Sequence, residues 1–167
     1  METTLDPDVL CDRDDVEVRT ETRTVTRAEF GTARDLESHV TVGIVTDAGD
    51  LLFVADGARG WTLPAVPVGP DEKWADAARH AVASLTGVDA DLEDAVRVRR
   101  VDFQLEDDPE RRHTTYDVLV RTAPLSGRPV ADDPTLAGED VDDLVWLDRV
   151  PDDATDGVAT AVESVLE

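Results

Sequence analysis

The residues most able to do chemistry gather in two places. In "WTLPAVPVGPDEKWADAARHAVASLTGV", residues 61–88, Glu72, Asp76 and His80 stand in or just ahead of a helical run closed by Gly87. Carboxylates brought to one side of a helix can hold a hard divalent cation, and a histidine near neutral pH can accept or hold a proton. The second group is the acidic stretch Glu106, Asp107, Asp108, followed by Arg111, Arg112 and His113. His39 and His113 have no ligand partners at metal spacing. Cys11, the only cysteine, excludes an internal disulfide, and with no CxxC a structural zinc is not expected.

Such side chains need elements to carry them. Trp74, Ala77, Ala78, Ala81, Val82 and Leu85 recur at helical period and form one apolar stripe. Asp71 and Glu72 precede it, where the helix dipole favours negative charge, and Gly87 is placed to stop it. "HVTVGIVT" (39–46) reads as a buried strand, "DAGD" as a turn, and "LLFVA" (51–55) as its hairpin partner. Residues 95–105 and 114–123 read as strands flanking an acidic loop "EDDPERRH", and "DLVWLDRV" as a short last strand. "VEVRTETRTV" suits an edge strand and "TRAEFGTARD" a short helical turn. The Pro/Asp stretch 124–143 reads as a long solvated loop. Residues from Pro151 onward form a Pro-initiated terminal helix with Val158, Ala161, Val162 and Val165 on one side. These elements predict a mixed sheet between helices.

The chain's 167 residues suffice for one ordinary domain. Its formal charge is −23, from 39 acidic and 16 basic residues, and Lys73 is the single lysine. Self-repulsion of this size hampers compaction in dilute salt. The composition is that expected of a cytoplasmic protein from a salt-accumulating organism. A high-GC genome would account for arginine over lysine but not for the acidic excess. Nucleic acid is not an expected partner, because no basic cluster exceeds Arg99-Arg100 or Arg111-Arg112. Neither a membrane span nor a signal peptide is legible, so no membrane partner is expected.

Trp61, Leu63 and Pro64, then Glu72, the Ala77-Ala78 pair, Val82, Gly87 and Val88, together with the preceding hairpin and the following strands, resemble the Nudix hydrolase superfamily. The family signature is G-x5-E-x7-R-E-U-x-E-E-x-G-U, with U aliphatic. The resemblance covers roughly residues 38 to 166. It implies an α/β fold, a Nudix-like α/β/α sandwich with a mixed β-sheet, over residues 37–167. Residues 1–36 are then an N-terminal extension holding an edge strand or short helix. It also implies magnesium- or manganese-dependent hydrolysis of a nucleoside diphosphate linked to another group.

The departures fall on the chemistry. The signature's opening glycine falls on Val66 and its arginine on His80. The glutamate after that arginine falls on Ala81, and the paired glutamates on Ser84 and Leu85. In the family those glutamates carry the metal, and the glutamate at 72 pairs with the arginine at 80. Spacings of three and four bring positions 81, 84 and 85 to one side of a helix, so three carboxylates there make a cage. Ala, Ser and Leu make an apolar patch with one hydroxyl. The degenerate motif (Glu72, His80, Ala81, Ser84, Leu85 and Gly87) therefore predicts a Nudix-fold protein with no catalytic or metal-binding residue and no cofactor. Such a protein would act as a ligand-binding or regulatory and interaction module, its partner a nucleotide-like small molecule or a protein. The alternative is an active hydrolase with relocated carboxylates, for which Asp76 and Glu106 are the surrogate acids and Mg or Mn the cofactor.

Overall fold

The computed structural model describes residues 16–33, 38–55, 61–68, 72–136, 139–141, 143–150, 162 and 165. Strand β1 (Glu17–Val25) leads into a short helix α1 (Arg27–Ala33). Thr26 and Glu29 close the entry to α1 as a reciprocal capping pair: the Glu29 amide donates to Thr26 Oγ1, and the Thr26 amide to Glu29 Oε1. The bond from the Thr26 amide first, and then the Thr26 hydroxyl, hold the Glu29 carboxyl below its usual range. Next come β2 (Ser38–Gly43), β3 (Leu51–Ala55), β4 (Trp61–Thr62), β5 (Ala65–Val68) and helix α2 (Trp74–Thr86). The chain continues through β6 (Leu92–Leu105), β7 (Asp108–Thr122), β8 (Thr135–Leu136), β9 (Glu139–Asp140) and β10 (Leu144–Leu147).

The main sheet has the order β1-β6-β7-β2-β5. It is mixed: β1 runs parallel to β6 and β2 parallel to β7, while β6–β7 and β2–β5 are antiparallel. A second, antiparallel sheet has the order β10-β3-β4. The hairpin expected of 39–55 closes only around its turn. Leu52 N donates to Ile44 O at 3.1 Å and Thr46 N to Asp50 O at 2.9 Å. Beyond that point β3 leaves β2 and pairs with β10 and β4. One hairpin thus seeds both sheets.

Alternation along the strands sends successive side chains to opposite faces and builds two cores. Val40, Val42, Val118 and Val120 join the apolar face of α2 on one side. Leu51, Phe53 and Leu119 join Val162 and Val165 on the other. Both of those valines are helical, while the rest of the terminal helix expected from the sequence lies outside the described residues. Gly43 is where that layer meets the sheet: a Cβ there would stand 2.7 Å from Val165 Cγ1, closer than packed carbon atoms tolerate. The molecule is an α/β/α sandwich around a mixed sheet, as the sequence led one to expect.

Three stretches differ from the sequence reading. "EDDPERRH" is not a loop: β7 begins at Asp108 and runs through it, and only Glu106 and Asp107 turn the chain. The Pro-rich lead-in to the helix contains β5, with Pro67 on the outermost strand, where a missing amide costs no ladder bond. Residues 124–136, though largely exposed, are tied to the rest of the fold at several points, as described below.

Candidate functional site

Helix α2 spans Trp74–Thr86, the run its periodicity marks out. It starts from Lys73 without a side-chain cap. It ends at Gly87, whose φ of 76° lies in the left-handed region that suits glycine, and whose amide donates to Ala83 O at 2.9 Å. Thr86 Oγ1 donates to Val82 O at 2.7 Å, satisfying another carbonyl of the last turn.

Positions 81, 84 and 85 do share one side of α2, but that side is not an open cleft. Ala81 is 2% exposed and Leu85 0%, both within the core formed with β2 and β5. Ser84 is half-buried and contributes the one side-chain oxygen of the three. Methyl groups offer no lone pair, and a hard cation needs several oxygen ligands. The donor set at these positions therefore does not fit a divalent metal. Among the described residues no group of three or more His, Cys, Asp or Glu side chains converges as a metal site.

The surrogate acids lie apart from this face. Asp76 is exposed on α2, with Arg79 Nη1 4.0 Å from its carboxylate. Glu106 sits at the tip of the β6–β7 hairpin, where its amide donates to Val25 O. Leu105, the residue before it, is thirteen strand steps, roughly 40 Å, from Leu92 at the other end of β6. Glu72 and His80 are exposed. Trp74 packs against the α2 core and Trp61 against the opposite one, so both serve as anchors. An open depression of about 520 Å³ lined by Phe30, Glu110, Arg111, Arg112 and His113 lies between α1 and the β7 end of the hairpin, not at α2.

What does border the helix is a strap the sequence did not reveal. Ala131 N donates to Leu85 O at 3.0 Å, and Leu125 bridges the β2–β3 turn through Val45 O and Asp47 N. Arg128 grips Asp50 with two bonds of 3.0 Å, Nε to Oδ2 and Nη2 to Oδ1. Trp146 Nε1 donates to Pro129 O at 3.3 Å. The Arg128 guanidinium, with help from Thr46, holds the Asp50 carboxyl below its usual range, and the carboxylate in turn raises Arg128. No local signal marks this pair, since 78 residues separate its members.

The Asp50 shift predicts an acid limb in the stability profile. A carboxyl whose folded pKa is depressed stabilises the fold above its unfolded value, near 3.8, and loses that contribution as pH falls through the folded value. Melting midpoints taken from pH 7 downward should fall below about pH 4 in the parent chain. They should fall less steeply in Asp50→Asn, which starts lower. Parallel profiles for the two proteins would remove Asp50 from the account.

Away from the strap, two more carboxyls are held low. The Thr114 hydroxyl at 2.6 Å, then Arg100, acts on Asp102. Arg99, bonded to Glu21 at 2.9 Å, acts on that residue.

No family model and no curated protein matches the sequence. Solved structures do resemble the fold. The E. coli dihydroneopterin triphosphate pyrophosphohydrolase superposes with a TM-score of 0.51 at 18% identity, over 77% of this chain and 94% of that one. A MutT Nudix hydrolase from Burkholderia pseudomallei gives 0.47 at 21% identity, over 77% and 97%. A UDP-X diphosphatase gives 0.48 at 17% identity, over 83% and 70%. At such identities the likeness speaks for architecture and not for activity. The likeness is one of fold alone, to solved structures that include a Nudix hydrolase.

Proposed function

We propose that this chain is a Nudix-fold protein that does not carry out metal-dependent diphosphate hydrolysis and serves as a ligand-binding or regulatory module. The observation that carries the reading is the burial of Ala81 and Leu85 in the apolar core, where the family signature has carboxylates. Metal activation of water and neutralisation of a diphosphate are worth several kcal/mol each to the transition state, and both need those ligands. The ligand class most in keeping with the fold is a nucleotide-like small molecule, and a protein partner is the other candidate. The acidic composition suits a cytoplasm rich in salt.

The test is direct. Purified protein in molar KCl, supplied with magnesium or manganese, should release no phosphate from a panel of nucleoside diphosphate derivatives. Calorimetric titration of manganese should give binding weaker than millimolar. Metal-dependent turnover that disappears on substitution of a carboxylate would establish the alternative, a hydrolase with relocated ligands.

A further inference from the structure

Strand β1 is the outermost strand of the main sheet among the described residues, and its nine residues pair with β6 on one side only. Glu106 N donates to Val25 O as the parallel ladder ends. Backbone groups alternate along a strand, so the odd-numbered residues of β1 point their amides and carbonyls toward β6. Those of Val18, Thr20, Thr22 and Thr24 point outward. On the side-chain faces, Glu17 bonds Arg19 and Glu21 bonds Arg23, each at 3.0 Å, so the four charges lie on one face in the order Glu, Arg, Glu, Arg. These pairs are roughly half exposed, and Val18, on the opposite face, is one of the few exposed large apolar residues.

That order is self-complementary. We propose that β1 is a homodimer interface, in which it pairs antiparallel with β1 of a second copy about a two-fold axis through Thr20. In this register Glu17 opposes Arg23 of the second copy and Arg19 opposes Glu21, and the axis repeats both contacts. Val18 opposes Thr22, which covers the exposed valine. The outward backbone groups of Val18, Thr20 and Thr22 form the hydrogen-bonded pairs. The charged residues therefore fall at the non-hydrogen-bonded positions, where opposed side chains approach most closely. Sliding the second copy by two residues either way sets Glu against Glu and Arg against Arg, so the charges also select the register. Strand charges that would repel a foreign edge here admit a copy of themselves.

Self-association must overcome the repulsion between two chains of charge −23, so the experiment is made in molar KCl. Sedimentation equilibrium over micromolar to submillimolar protein should give the mass of two chains. The double variants Glu17→Arg/Glu21→Arg and Arg19→Glu/Arg23→Glu should each weaken self-association at least about tenfold, and their equimolar mixture should recover it as a heterodimer. Thr20→Pro removes an outward amide without breaking the ladder to β6 and should weaken the dimer similarly, with a melting midpoint matching the parent's at concentrations where the parent is monomeric. That variant separates interface from folding should the charge variants prove unstable. A wild-type chain that stays monomeric throughout would overturn the proposal. So would a dimer indifferent to all three variants, or a mixture that fails to recover association.

Discussion

Leu85→Glu is expected to lower the unfolding free energy by about 4 kcal/mol or more, the largest effect of any single substitution on α2. Leu85 is fully buried among apolar neighbours, and deleting such a side chain alone costs roughly 2–5 kcal/mol. The incoming carboxyl finds no cation beside it, and its charged form pays desolvation. Its pKa should therefore rise, and the penalty should grow with pH. Ser84→Glu is the control: the position is half-buried, and the longer side chain can reach water at a cost of about 1 kcal/mol or less. Denaturant titrations in molar KCl, at acid and neutral pH, measure both. A Leu85→Glu protein as stable as its parent, and binding manganese, would mean that α2 still faces a polar cavity.

The second large effect is that of salt. Raising KCl from about 0.15 M to about 1 M contracts the screening length from about 8 Å to about 3 Å. With 39 acidic and 16 basic residues, the surface carries far more like-charge than opposite-charge neighbours. Screening should thus favour the compact state by several kcal/mol, on the order of 10 °C in melting midpoint for a domain of this size. The exposed ion pairs, such as Arg111–Asp108 and Arg27–Asp107, lose little in exchange, because such pairs contribute at most about 1 kcal/mol each. A scanning melt across KCl concentrations checks this, with an uncharged osmolyte as the comparison. A midpoint that stays flat or falls as KCl rises would refute it.

The candidate site was legible in part. The one-sidedness of positions 81, 84 and 85 follows from helical geometry, and their chemical character is written in the residues themselves. Their enclosure was not legible. Burial of Leu85 depends on β2 and β5 arriving from elsewhere in the chain, and the strap over the helix end hangs on Asp50 meeting Arg128. Glu106 shows the converse. Its neighbours suggested an acidic loop, but continued pairing of β6 with β7 carries it to the far end of a hairpin.

Local physics accounts for what the amino acids determined unaided. The helix from Trp74 to Thr86 needs only an apolar stripe at its own period and a glycine able to adopt a positive φ. The strands around residues 40, 53, 98, 119 and 146 need only short β-branched or aromatic runs, and the charge of −23 is simple addition. Tertiary structure decided the rest: that β3 abandons β2 for a second sheet, that β1 runs parallel to β6, that the exposed stretch 124–136 is pinned to the fold. Each of those outcomes turns on which distant backbone edge or charge a segment meets. Propensity within a few residues carries no information about that meeting, because its free energy appears only once the partners are side by side.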